Sequence, residues 1–386
     1  MAVDDADHAD PVRLRDGVGF SVAVFIGVRV LLSLLAVLTV GTVRPPSSAG
    51  SGVVVPATPG WHNAIDGTDR WDAGWFERIA REGYDPSDAS AAFFPGYPLA
   101  IRAVTIALPL GGTGAATLVS NAAFLAALIV LFALTTFEFS VSMAKRTVLL
   151  LACFPASFFF LSPYSESLFL LASLLCFWWA RRGRWGAAAA AGFLAAATRS
   201  VGVLLVPALL VEAWNIRRSD RRPALAASLA PLAAPLVYAV YWLVHAGDAL
   251  QPLHAQDAWF RTFELPVVTL GNALWLGVSG VTDPRGIYWT ADVLLTVVVL
   301  IPLALRWKVL APPYLMYVLL SLLVILSYPL PERPLLSAPR FWIVLFPAFW
   351  AMAALFAGRR FAVTLIAFVV GFSSLAIAFM NWGYVF

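Results

Sequence analysis

Apolar runs of 16 to 24 residues recur along the whole chain, separated by short polar stretches. Runs of that length read as membrane-spanning helices. They predict spans at about 18–41, 117–137, 147–162, 165–180, 224–246, 289–307, 311–328, 339–357 and 360–381. Less regular apolar segments lie at 93–110, 186–214 and 266–281. One stretch breaks the pattern. In RWDAGWFERIAREGY, residues 70–84, a helical wheel gathers Trp71, Trp75, Phe76, Ile79 and Ala80 on one arc and leaves Glu77, Arg78, Arg81 and Glu82 outside it. Asp72 projects into the middle of the apolar arc, where a carboxylate is costly without a partner or a task. An amphipathic helix at about 70–83 is expected, lying at the membrane interface.

Composition agrees with the pattern. The 386 residues are 61% hydrophobic and 12% charged, with a mean hydropathy of +0.82. The expected fold class is an all-α polytopic membrane protein, a single multi-pass unit over 1–386, since a transmembrane barrel would show short alternating segments instead. The first 17 residues carry five Asp and two Arg, unlike a signal peptide, so they are expected as a tail ahead of a retained first span. Cys153 and Cys176 sit inside apolar runs and suggest no disulfide framework. The net charge of +4 comes from arginine-rich loops, which speak to topology rather than to nucleic acid.

Those loops set the sidedness. Lys145-Arg146, the runs at 181–185 and 217–222, Arg306 with Lys308, and Arg359-Arg360 are expected on the cytoplasmic side. The tail 1–17 joins them, while 42–92, 162–166, 247–288 and 328–340 face outward. Residues 186–214 lie between two cytoplasmic clusters and are too short for two full spans, so a broken or re-entrant hairpin is expected with Thr198-Arg199-Ser200 near its turn. Pro95, Gly96, Pro98 and Arg102 suit a dipping segment at 93–110. Residues 42–60, rich in Pro, Ser, Gly and Val, read as a flexible linker. The chain shows no internal repeat, Walker motif or separate soluble domain.

The unusual polar groups outside the cytoplasmic clusters converge on the outer side or on membrane dips, where ionisable residues mark function by default. Asp72 is a candidate general base at the mouth of a cavity, because partial desolvation strengthens a carboxylate as a proton acceptor. Alternatively, Asp69 and Asp72 cap the helix. In SPYSES, 162–167, Ser162 reads as an N-cap with Pro163 at the first helical position and Glu166 in the first turn. Such a helix end can hold a phosphate, and Glu166 would oppose that unless it orients an arginine or a sugar. Arg199 is a candidate anion site, or a structural group bonding the carbonyls of a broken helix. Arg340 invites the same reading, against simple snorkelling. In 245–261, the two His and two Asp match no strong metal spacing. Trp259 and His254 suit carbohydrate contacts there, and an ordinary solvated loop is the alternative. Arg29 and Asp292 read as packing or snorkelling residues.

Several segments together resemble the PIG-V-like (GPI mannosyltransferase II) family of GT-C membrane glycosyltransferases. They are RWDAGWFERIAREGY with FFPGYPL (93–99), PASFFFLSPYSESLFLL (155–171), ATRSVGVLLVPALL (197–210), GDALQPLHAQ (247–256) and SAPRFW (337–342), in family order. The resemblance implies a GT-C-like helix bundle with an interfacial helix in the first outer loop. It implies a polyprenyl-phosphate-mannose donor, a lipid-linked or cell-envelope glycan acceptor, and a single inverting displacement with no cofactor. Asp72 fits the family's first-loop carboxylate and would act as the base. Arg199, with Arg340 or Arg261, would hold the leaving phosphate, and Tyr164, Glu166, His254 and Trp259 would contact substrate. The 247–256 segment departs from the family at Ala249, Leu250 and Gln251, where a more compact, proline-containing stretch is expected. High Ala, Arg, Val and Trp usage has a high-GC bacterial look, which favours a mannolipid or outer-envelope product and an outward-facing plasma-membrane site; a eukaryotic chain would face the ER lumen. A flippase for lipid-linked sugars and a non-catalytic subunit of a glycosyltransferase complex are the alternatives.

Overall fold

The computed structural model describes residues 11–42, 58–280 and 286–383. Most of the expected linker (42–60) and of the tail (1–17) lies outside the described residues. Among the described residues the regular structure is helical, apart from an isolated β-bridge between Leu330 and Arg333. In order come α1 (Pro11–Thr39), α2 (Asn63–Asp66), α3 (Ala73–Glu82), α4 (Gly96–Ala107), α5 (Gly112–Glu138) and α6 (Val141–Cys153). Then follow α7 (Glu166–Arg181), α8 (Trp185–Thr198), α9 (Leu205–Trp214), α10 (Arg218–Ser228), α11 (Ala230–Ala246) and α12 (Gln251–His254). The last six are α13 (Pro266–Ser279), α14 (Gly286–Arg306), α15 (Pro312–Ser327), α16 (Ala338–Val344), α17 (Phe346–Leu355) and α18 (Arg359–Met380).

This is a polytopic membrane helix bundle. On α1, Val28, Leu32 and Ala36 are buried while Ile26, Val30, Leu34 and Leu38 are exposed. Both stripes are apolar, and a helix with that pattern has one face for protein and one for lipid. The innermost layer is built from α7 and α17. Phe346 through Ala353 are all buried, as are Phe169, Leu170, Ala172, Leu174, Cys176 and Phe177. α5 packs beside this layer through Phe124, Ala127, Leu128 and Leu131.

The span boundaries differ from the sequence reading in places. Among the described residues five helices are long and apolar enough to cross a membrane, or six if α16 and α17, bent by 81°, count as one broken span. The segment expected as a span at 147–162 instead starts earlier, at Val141, where Ser140 caps it by accepting from the Met143 amide. It stops at Cys153, two residues before Pro155, so Lys145 and Arg146 lie within the helix. The segments at 165–180 and 311–328 are helices of 16 residues each, short of a full span. Residues 186–214 break as expected, with extended backbone at Arg199 between α8 and a 3-10 turn leading into α9.

Segments far apart in sequence meet at the two ends of the bundle. Gln251 Nε2 donates to the Pro86 carbonyl and the Glu264 amide to the Ser327 carbonyl. At the other end Arg181 bonds Glu138 and Glu212, and the Tyr314 hydroxyl also donates to Glu138.

Two charged features revise the sequence reading. Asp292 is not a snorkelling group. It is buried in α14 and takes two hydrogen bonds from buried Arg333, at 2.6 and 3.0 Å. Glu77, outside the apolar arc of the wheel, turns against α5. The Thr113 hydroxyl is 3.1 Å from both Glu77 Oε2 and Asp69 Oδ2, and Glu77 Oε1 is buried with no hydrogen-bond partner. Burial first, then the charge of Asp69, pushes the Glu77 carboxyl up to about 7.

Two stability measurements follow. Arg333→Met, leaving the Asp292 charge buried and uncompensated, is expected to cost about 3–5 kcal/mol, and adding Asp292→Leu to recover most of it; thermal unfolding in detergent reads both. For Glu77, the folded protein holds a proton that the unfolded chain releases near 4.5, so stability falls as pH rises from 4.5 to about 7. Glu77→Gln is therefore expected to gain stability over the parent at pH 8 and to lose that advantage near pH 4.5.

A candidate active site built on one buried carboxylate

Asp72 is the last residue before α3, so the helix begins just after it rather than at about residue 70. Trp71 before it has φ of 54°, a left-handed backbone rare for a bulky residue. This turn is held from three sides. The Tyr164 hydroxyl donates to the Arg70 carbonyl at 2.7 Å. Arg70 Nε donates to the Met380 carbonyl at 3.0 Å, at the end of α18. The Trp71 ring meets Trp382 edge-on at 5.5 Å. Asp72 therefore caps nothing with its side chain. Its Oδ2 accepts from Arg340 Nη1 at 2.7 Å.

Arg340 leads on to Glu166. Its Nε donates to Glu166 Oε1 at 3.0 Å, and its Nη2 lies 2.9 Å from the same oxygen as an ion pair. Arg199 Nη1 donates to the same oxygen at 2.7 Å and to Ser165 Oγ at 3.2 Å. The chain Asp72–Arg340–Glu166–Arg199 thus joins four elements, with two carboxylates balancing two guanidiniums. Exposure is graded along it. The Glu166 side chain is 0% exposed, Arg340 11%, Arg199 13% and Asp72 28%, so Asp72 is the most open member. Aromatic faces complete the arginine beds. Arg340 lies over Tyr164 and Phe159 at 4.7 and 5.0 Å, and Arg199 over Phe341 at 5.0 Å.

Local folding explains the placement. Tyr164 bends back so that its amide bonds the Ser162 carbonyl, which delays the start of α7. Ser165, rather than Ser162, occupies the cap position, and Pro163 precedes the helix instead of opening it. Glu166 stands in the first turn as expected, and it orients arginines rather than facing an anion. Arg340 is set by α16, which starts after Ser337 in left-handed backbone.

Other expected site residues fall elsewhere. Tyr164 is 1% exposed, so it is a support for Arg340 and the Asp72 turn, and no face of it is open to a substrate. Arg261 bonds the Tyr328 and Leu336 carbonyls, bracing the loop that leads into α16 instead of joining the cluster. His254 Nδ1 lies 2.8 Å from Asp248 Oδ2 on an exposed surface. Trp259 meets Phe93 edge-on at 5.7 Å, and Phe93 stacks on Trp75 of α3 at 5.5 Å. Arg29 also faces inward, donating to the Ala64 and Leu161 carbonyls at 2.6 and 3.3 Å. Sequence reasoning missed Arg70 and Arg333; for Arg70, its place beside Asp72 in the RWD run was the only signal.

An apolar cavity of about 420 Å³ lies between α3, α4, α8 and α11. Ile79, Ala80 and Gly83 of α3, Leu99 and Arg102 of α4, and Ala197 of α8 are among its walls. Two of its helices, α3 and α8, carry Asp72 and Arg199 at their ends, outside the cavity lining. Gly96 sits so close to Ala197 and Thr198 that a Cβ there would lie 2.8–2.9 Å from their oxygens, which sets α4 directly against the end of α8.

The family model for mannosyltransferase (PIG-V) matches residues 22–217, just over half of the chain. That range holds Asp72, Glu166 and Arg199, while Arg340 lies beyond it. The GPI alpha-1,6-mannosyltransferase 2 proteins of Rattus norvegicus and Mus musculus are each 34% identical over 176 residues. The aligned stretch is 43% of this chain and 35% of each relative, so it spans about a third of their length. The chain is therefore a member of the PIG-V mannosyltransferase family.

Proposed function

We propose that this protein transfers mannose from a polyprenyl-phosphate-mannose donor to a hydroxyl of a lipid-linked or cell-envelope glycan, on the extracytoplasmic face of the membrane. The observation that carries this reading is the joining of Asp72 and Arg199 in one polar cluster, where Arg340 and Glu166 bridge 127 residues of sequence separation. A carboxylate at the open edge and two guanidiniums behind it provide what a displacement at a sugar phosphate needs.

In this mechanism Asp72 takes the proton of the acceptor hydroxyl, whose oxygen attacks the anomeric carbon from the face opposite the phosphate. The bond to the phosphate oxygen breaks with its electron pair, and the sugar is inverted in one step. Arg340 and Arg199 hold the phosphate as its charge grows, in a site where fixed cations outperform water. Glu166 keeps both guanidiniums in place. The apolar cavity between α3, α4, α8 and α11 suits a lipid-linked substrate, and Trp259 and His254, on the outer loop packed against α3's partner Phe93, suit the acceptor sugar.

Purified protein in nanodiscs, given labelled polyprenyl-phosphate-mannose and a total lipid extract, is expected to form a new labelled glycolipid. Asp72→Asn is expected to lower that rate about 10²–10⁴-fold while donor binding survives. Donor bound but never consumed by either protein, across varied acceptor pools, would instead favour transport or an accessory role. Ala197→Trp, which fills the cavity, is expected to raise KM for long-chain donors about tenfold and to leave a donor of one or two isoprene units unaffected.

A further inference from the structure

Of the contacts in the cluster, the one between Arg340 and Asp72 differs from the rest. Glu166 is fully enclosed and holds Arg340 through two of its nitrogens, and the guanidinium is pressed over Tyr164 and Phe159. That half of Arg340 is fixed. Its Nη1 alone reaches outward, to the most exposed member of the cluster. Beside it, Arg199 uses only Nη1, and among the described residues nothing bonds its Nε or Nη2. A guanidinium carries five N–H donors, so unused donors here invite an anion.

We propose that Arg340 is an exchangeable counterion: it holds Asp72 while the donor site is empty, passes its Nη1 hydrogen bond to the donor phosphate on binding, and so frees the base only in a donor-loaded site, making the acceptor the second substrate. The inference rests on the transfer reading above.

The charge balance favours such an exchange. Two carboxylates and two guanidiniums cancel in the empty site, and a sugar phosphodiester adds one negative charge. During transfer the acceptor oxygen bonds the anomeric carbon as the carbon–phosphate oxygen bond breaks, its electron pair staying on the phosphate. The acceptor's proton goes to Asp72. The phosphate thus gains a second negative charge as Asp72 loses its own, and the total is unchanged. A cation fixed by Glu166 between the two positions serves the charge at both ends without moving its own anchor.

The exchange is testable without turnover. A short-chain prenyl phosphate is titrated into the full-length protein in detergent, for the parent, Asp72→Asn, Arg340→Gln and the double variant. Asp72→Asn removes the competing carboxylate and is expected to tighten binding about tenfold, roughly 1.4 kcal/mol. With Arg340→Gln already present, the same change is expected to have little effect. Equal tightening in both backgrounds would mean only that a nearby negative charge was lost, and the exchange would be wrong. If Arg340→Gln does not fold, Arg340→Lys takes its place, since a point charge cannot span both carboxylates and should shrink the Asp72→Asn effect. The parent provides a second test. An unreactive acceptor analogue is expected to inhibit uncompetitively against donor, and competitive or mixed inhibition would overturn the ordered scheme. A parent protein that binds no prenyl phosphate at all would remove the transfer reading itself, whereas binding with an additive cycle would remove the exchange alone.

Discussion

The arrangement of this protein depends on a single carboxylate taken wholly out of water. An ionised Glu166 in an apolar bundle is tolerable only with cationic partners in good geometry, because desolvation costs several kcal/mol per ion. It has two, from opposite directions, both on the same oxygen. One comes from the break between α8 and α9, the other from α16. The most apolar part of the molecule therefore encloses the most polar junction, and the helices that meet there cannot shift independently.

From that junction a second layer of order reaches the surface. Tyr164, two residues ahead of Glu166, supports Arg340 with its ring and the Asp72 turn with its hydroxyl. Arg70 and Trp71 tie the same turn to the end of α18. A left-handed Trp71 is strained in isolation, and it persists because neighbours on several sides fix it. The result is a carboxylate held at the rim of the bundle by groups that are themselves buried.

Much of this was legible in the sequence, for definite reasons. Apolar run length exposed the bundle, and charge among apolar residues singled out Asp72, Arg199 and Asp292. The break at 198–200 followed from counting residues between two basic clusters. Helix ends were harder. The α6 boundary depended on a serine cap and Pro155, and the run of apolar residues past Cys153 masked it. Pairing was beyond reach. Asp72 and Arg340 lie 268 residues apart, Asp292 and Arg333 lie 41 apart, and nothing local encodes which charge meets which. Tyr164 was misread for the same reason: its neighbours in sequence describe a helix start, while its neighbours in space describe a support. The place of Glu77 against α5 was equally hidden, because a wheel gives direction and says nothing about a facing helix.

The order in which the chain is made gives the doubled pairing of Glu166 another meaning. Arg199 follows it by 33 residues, whereas Arg340 follows by 174. At ordinary synthesis rates of about 5–20 residues per second, roughly seven to thirty seconds separate the two arginines at the ribosome. For that interval α7 would sit in the bilayer with Arg199 as the only counterion within the cluster. The nearer arginine thus acts as an early chaperone in cis, neutralising the carboxylate until α16 arrives to complete it.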